Sequence, residues 1–221
     1  VVQAPRLSRA TARLVVVAAV PVLLAGLASC TSGDDGETAA GTASSTAASS
    51  SSPPAVEGPI GPGCALFAAD GPGSLAGVAA APAGGAVSVV PELSTLTQAI
   101  ITANLADVVN SRPDVTLLAP TNAAFDALGP DALPALLADI PRLTTVLTHH
   151  VVNGRLTPDQ LIGEHRTLNG DTITVTGPAD APTLAADETI LGAAAATVVC
   201  GAVPTVNATV YVVDQVLTPA G

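Results

Sequence analysis

The sequence predicts an α+β protein with one folded domain over 64–221. Three observations lead there. Apolar residues recur with a helical period in the first half of that stretch and with a period of two in the second. Helices and strands are segregated rather than alternating, which argues against a doubly wound sheet. The chain of 221 residues is 48% hydrophobic but only 1% aromatic, so its core must be assembled from Ala, Val, Leu and Ile, and it is long enough to fold unaided.

Two segments of different character precede the domain. Arg6, Arg9 and Arg13 form a positive region, and 14–28 is an almost wholly apolar run, shorter than the roughly 20 residues that cross a bilayer comfortably. This is the pattern of a cleaved export signal over 1–29. It ends in Leu27-Ala28-Ser29-Cys30, which resembles the lipobox of bacterial lipoproteins. That resemblance implies a diacylglycerol on the Cys30 thiol and a mature chain held at the outer face of the cell membrane; the other reading is an ordinary secretory signal with a chance cysteine. Over 30–63 the chain is mostly Ser, Thr, Ala, Gly, Pro and acid, with Val56 and Ile60 as the core candidates. Such a segment cannot offset its ordering entropy, so a disordered linker is expected. Its Ser/Thr and Pro content also makes it a candidate for O-glycosylation, beside the reading of an unmodified linker.

Within the domain, Leu93, Leu96, Ile100, Leu105, Val108 and Val109 share one face of a helix expected over 92–110. Asp114-Val115-Thr116-Leu117-Leu118-Ala119 reads as a short buried strand stopped by Pro120. Thr121 or Asn122 can cap the helix that carries Phe125 and Leu128. Pro130 suits a first helical turn ahead of Leu133, Leu136, Leu137 and Ile140, and Pro141 opens a further helix with Leu143, Val146, Leu147, His150 and Val151 in register. Asn153-Gly154 is a turn, and Pro158 starts a short helix through Leu161 and Ile162. The period then drops to two: 166–168, the Asn169-Gly170 hairpin turn, and 172–176. Further strands are expected at 197–199 and 209–217, and Ala-rich helices at 79–81 and 193–196.

Charge and cysteine use narrow the chemistry. Removal of 1–29 leaves four basic against eighteen acidic residues, a net charge of −14. A phosphate backbone would be repelled and base stacking on aromatics is nearly impossible, so no nucleic-acid partner is expected. The chain has no Lys, which excludes a P-loop, a Schiff-base enzyme and a Ser-x-x-Lys acyl-enzyme. With Cys30 assigned to lipid, Cys64 and Cys200 form an even pair in an oxidising compartment and are expected to be bridged; the other reading is two free thiols or a two-ligand metal site, for which nothing nearby completes a coordination sphere.

Three segments resemble fasciclin-type domains. Thr116-Leu117-Leu118-Ala119-Pro120-Thr121-Asn122-Ala123-Ala124-Phe125 is similar to the first family signature and Val146-Leu147-Thr148-His149-His150-Val151-Val152 to the second. Asn207-Ala208-Thr209-Val210-Tyr211-Val212-Val213-Asp214-Gln215-Val216-Leu217 is similar to the closing strand. The resemblance covers about 64–219, in the right order and spacing. The Gly61 to Cys64 start and the Val198 to Gly201 segment resemble more closely the small secreted and lipid-anchored fasciclin surface antigens of mycobacteria and related actinobacteria, and this too pairs Cys64 with Cys200. The resemblance implies a β-wedge sandwich with a helical flank, a cell-surface position, and adhesion or ligand binding rather than catalysis. In the family the second signature commonly reads Tyr-His and in animal members has been linked to integrin contact; here His149 stands in place of the Tyr.

The signature residues Thr116, Pro120, Thr121, Asn122, Phe125, His150, Asn207, Tyr211 and Asp214 read first as makers of the fold. Phe125 plugs the core where strand meets helix, and His150, on an apolar stripe, is expected as a buried imidazole bonded to backbone. His149 and His150 are adjacent, about 100° apart around a helix. His165 lies elsewhere and no His-Glu-x-x-His or Cys-x-x-Cys spacing exists, so neither a metal nor another cofactor is expected. No Gly-x-Ser-x-Gly elbow exists, the Asp187-Glu188 pair reads as a solvated loop tip, and the Asn207-Ala208-Thr209 sequon reads as coincidence. The expectation is a non-catalytic, monomeric surface module. Its partners would be the membrane, through its lipid, and a surface, matrix or host protein. The alternative is an envelope carrier holding a lipid between helices and sheet.

Overall fold

The computed structural model describes residues 58–192 and 194–219. The export signal over 1–29, Cys30 and most of the linker over 30–63 lie outside the described residues. Among the described residues no helix is long and apolar enough to cross a membrane.

After a 3-10 turn at Pro62–Leu66, two short helices follow, α1 (Leu75–Ala79) and α2 (Ala83–Ser88). A 3-10 turn at Pro91–Leu93 leads into α3 (Ser94–Thr102) and α4 (Ala106–Ser111). Strand β1 (Val115–Pro120) is followed by α5 (Asn122–Asp126), α6 (Ala132–Ala138) and α7 (Ile140–His149). Then come β2 (Val151–Asn153), α8 (Pro158–Leu161), β3 (Gly163–Arg166), β4 (Thr172–Thr176) and β5 (Thr183–Leu184). A 3-10 turn at Ala186–Glu188 precedes β6 (Ala196–Pro204) and β7 (Ala208–Val213).

The strands form one sheet in the order β2-β1-β7-β6-β5-β4-β3, with β1 and β7 parallel and every other pair antiparallel. Strand β6 serves both halves of the sheet, and its register against β7 shifts twice between Val198 and Val203. Such bulges bend a strand, and the non-glycine left-handed residue Ala202, at φ 55°, sits within this stretch. The bend folds the sheet into a wedge whose ends meet at the Val152–Thr167 bridge.

Alternation along the central strands divides the core. Leu117, Ala119, Val210 and Val212 face the helices, joining Leu93, Leu96, Phe125, Leu143 and Val146. Leu118, Tyr211 and Val213 point into the wedge with Leu161, Ile173, Val175, Leu184 and Leu217. Aliphatic side chains fill both clusters, and Phe125 and Tyr211 are the largest fully buried residues.

Four expectations are corrected. The helix over 92–110 is broken: α3 ends at Thr102, Asn104 adopts the left-handed φ of 54°, and α4 starts afresh at Ala106. Asn tolerates that conformation better than most residues, and the break turns α4 back over α2. Ala196 opens β6 rather than ending a helix, because its side chain is needed in the wedge core; Ala193 lies outside the described residues. Strand β7 ends at Val213, short of the expected 217. Ile60, read as linker, pairs with Gly201 through backbone hydrogen bonds of 3.0 and 2.8 Å, so the folded part begins before Cys64.

Candidate functional site

The signature residues stand where separate elements meet, and their polar atoms are directed at backbone. Buried Thr116 in β1 donates through Oγ1 to Gly154 O at 2.8 Å and accepts from Leu156 N at 3.0 Å, holding the chain that leaves β2. Pro120 is the last β1 residue in register with β7. Thr121 caps α5, its Oγ1 accepting from Ala124 N at 3.2 Å. Asn122 does not cap: its Oδ1 accepts from Thr95 N at 2.9 Å and its Nδ2 donates to Pro91 O at 2.9 Å, tying α5 to the start of α3. Phe125 is buried in the helix-facing core.

The closing segment is fixed in the same manner. Asn207 Nδ2 donates to Val109 O and Arg112 O, both at 2.8 Å, and its Oδ1 accepts from Ala83 N at 2.8 Å. One side chain thus fastens the end of α4 and the start of α2 to the head of β7. Asp214 Oδ1 accepts from Thr197 N at 2.6 Å. Tyr211 donates through its hydroxyl to Leu156 O at 3.0 Å, and its ring lies flush on Gly201, where a Cβ would come within 2.6 Å of ring carbon Cδ1. Burial raises the Tyr211 hydroxyl above the usual range, with the Asp159 charge adding to it. Cys64 and Cys200 are bonded, with Cα atoms 4.8 Å apart, and clamp the first 3-10 turn onto β6.

The two histidines end α7 with different partners. His150 is buried; its Nδ1 donates to Val146 O at 2.8 Å and its Nε2 accepts from Leu217 N at 3.0 Å. An amide can only donate, so Nε2 is unprotonated and the tautomer is fixed. Burial pulls the His150 pKa down to about 4; the Val146 bond opposes this and the neighbouring His149 adds to it. His149 is 1% exposed and places Nδ1 2.9 Å from Asp171 Oδ2. Burial works to raise the Asp171 pKa, but hydrogen bonds from Thr167, Asn169 and His149 hold it below the usual carboxylate value. A side chain so buried presents almost no surface at position 149.

Sequence reasoning missed several members of these junctions. Asn110 Oδ1 accepts from Gly84 N at 2.9 Å and Gly85 N at 3.3 Å. Asp171 follows the Asn169-Gly170 turn and reads there as ordinary turn chemistry. Glu188 is not a solvated tip: it is half-buried and accepts through Oε1 from Thr174 N at 2.7 Å. Burial raises its pKa, with the Thr174 amide opposing and Asp187 adding. Among the described residues no group of three or more His, Cys, Asp or Glu could hold a metal ion.

Between α3, α4, α7 and the sheet lies a narrow apolar cleft with an internal volume of only about 20 Å³. Leu96, Ile100, Leu105, Val109, Leu117 and Leu147 are among its aliphatic walls, and exposed Arg112 stands in its lining.

A mixed sheet bent into a wedge, a helical flank, and three signature segments bonded into their junctions define a fasciclin-type domain. The chain belongs to that family, the Fasciclin domain model matching residues 91–219. It is 42% identical over 176 residues to the immunogenic protein MPB70 of Mycobacterium bovis, across 76% of this chain and 86% of that one. It is 43% identical over 168 residues to the cell surface glycolipoprotein MPB83 of the same species, across 72% of each. A solved FAS1 domain pair from the insect cell adhesion molecule fasciclin I compares at a TM-score of 0.45 and 24% identity, over 57% of this chain and 45% of that one.

Proposed function

We propose that the protein is an exported lipoprotein, anchored through Cys30, whose domain is a monomeric, non-catalytic display module for adhesion or protein interaction at the cell surface. The observation that carries this reading is how the signature polar groups are used. Thr116, Thr121, Asn122, His150, Asn207, Tyr211 and Asp214 each bond to main-chain atoms. They stiffen a scaffold rather than converge on a reacting centre, and interaction surfaces gain affinity from such pre-organisation. The likeness to MPB83, a cell surface glycolipoprotein by name, supports the surface position. With the three Arg of the signal removed, the strong negative charge favours a soluble domain held near the membrane by its lipid.

Two experiments test the reading. Cys30→Ser abolishes detergent partitioning and leaves unprocessed or released protein if Cys30 carries the lipid; unchanged partitioning refutes the anchor. The purified domain over 58–219, added in excess, competes for attachment of cells bearing the anchored protein; attachment indifferent to the competitor refutes adhesion through the domain.

A second reading is a carrier for an apolar molecule, for which the cleft, now only about 20 Å³ inside, would have to widen. Its walls offer almost no hydrogen bonds, so water gains little there, while Arg112 could meet an acidic head group. Extraction of the native protein into organic solvent yields a stoichiometric lipid on this reading and none on the first.

A further inference from the structure

The chain carries two Asn-Gly pairs, Asn153-Gly154 and Asn169-Gly170, and the fold places them differently. Asn153 ends β2 in register with Val115. Its Nδ2 donates to Arg166 O at 3.1 Å, and Gly154 N donates to Asp114 O at 2.9 Å. Asn169 is exposed in the β3–β4 turn, where Gly170 N donates to Thr167 O at 3.1 Å and Thr167 N to Asp171 O at 2.9 Å. Asn169 Nδ2 donates to Asp171 Oδ2 at 2.9 Å, the same oxygen that lies 2.9 Å from Nδ1 of buried His149. The turn also borders the closure of the wedge: Thr167 bridges Val152, and Leu168 N donates to Val151 O at 2.7 Å.

We propose that Asn169 is a site of spontaneous modification, converted by intramolecular attack to aspartate and isoaspartate, and that the conversion loosens the wedge where the turn meets α7. Gly170 N gives up its proton and bonds to Asn169 Cγ; the Cγ–Nδ2 bond breaks and ammonia leaves, giving a cyclic imide. Water then opens either ring C–N bond, so water is the one co-reactant. Two features select this pair. Gly170 has no side chain to obstruct the attack, and its left-handed φ of 96° is one that few other residues adopt. Ring closure also requires main-chain rotation at the Asn. The turn permits this by giving up one turn hydrogen bond, whereas at Asn153 it would unpair β2 from buried β1. The products act on the cluster in two ways. A carboxylate is acceptor-only at neutral pH, so Asp171 Oδ2 loses a donor and gains a like charge beside its contact with His149. Isoaspartate also adds one carbon to the main chain, and the turn cannot then keep both of its backbone hydrogen bonds.

Incubation of the folded, purified protein in warm, mildly alkaline buffer, followed by peptide mapping by mass spectrometry, tests this. The expected result is amide-to-acid conversion at Asn169, as both acid isomers, roughly tenfold faster than at Asn153, the rate difference for the extra strand hydrogen bonds broken there. In urea with reductant the two sites should react at similar rates, because the fold no longer separates them. Hydrogen exchange at the Thr167 and Leu168 amides should be about two- to tenfold faster in the converted protein, the equivalent of one lost hydrogen bond. An unconverted Asn169, or equal rates at the two sites in the folded protein, overturns the proposal. The same preference persisting in urea would assign it to local sequence and overturn the selection by the fold, and unchanged exchange after conversion overturns the loosening.

Discussion

His150 and Leu217, 67 residues apart in sequence, are joined by a buried 3.0 Å hydrogen bond from the Leu217 amide to the His150 Nε2. The end of the helical flank is thereby fixed to the segment that follows the last strand, and the bond exists only while the imidazole is neutral.

Acid stability follows from that bond. The His150 pKa falls from 6.5 to about 4 in the folded protein, so between these values the unfolded chain binds a proton that the folded one refuses. Stability is fully present above pH 6.5 and is lost as pH falls toward 4, by about 3 kcal/mol in all. Urea titrations across that range should show the midpoint falling with pH. His150→Leu should flatten this part of the profile. It should also cost about 1–3 kcal/mol at neutral pH, because the Leu217 amide is left without a partner.

Asn207 is expected to be among the most sensitive polar positions. Asn207→Ala removes three hydrogen bonds of 2.8 Å, at a cost of roughly 2–4 kcal/mol. Amide exchange should accelerate at Ala83 in particular, whose N–H loses its partner. Wild-type exchange rates there would contradict the role.

Reduction of the Cys64–Cys200 bridge releases a loop spanning 136 residues in sequence. The chain-entropy model gives a loss of about 4–5 kcal/mol. Denaturation with and without reductant measures it, and alkylation of the unreduced domain should label neither cysteine; two labels would contradict the bridge.

Tyr211 carries a hydrogen bond and a close backbone contact that can be separated. Tyr211→Phe loses the bond to Leu156 O and should cost about 0.5–1.5 kcal/mol. Gly201→Ala drives a Cβ into the ring and against Ile60, and should cost more, roughly 1–3 kcal/mol. Equal thermal midpoints for the two variants would refute the close packing.

Much of this fold was legible because its period and punctuation are local. Leu143, Val146 and Leu147 announce α7, Pro141 starts it, and Asn169-Gly170 turns β3 into β4. Elements that depend on distant partners were not. Helices α1 and α2 are built largely of Gly and Ala with few large aliphatics, and α2 is fastened by Asn207 and Asn110 from far along the chain. Strand β2 continues the apolar run of α7 and is a strand only because β1 lies beside it. The signature residues could be named from sequence, but their bonds run to main-chain atoms that no side-chain pattern reveals. Asp171 and Glu188 carried no signal, since their roles arise from the fold of α7 and β4.

Crosslinking through the anchored protein on intact cells, followed by mass spectrometry of the captured material, tests the central claim most directly. The account predicts one reproducible surface, matrix or host protein joined to the domain and displaced by excess free domain. A stoichiometric lipid, with no protein that the free domain displaces, would contradict it and favour the carrier.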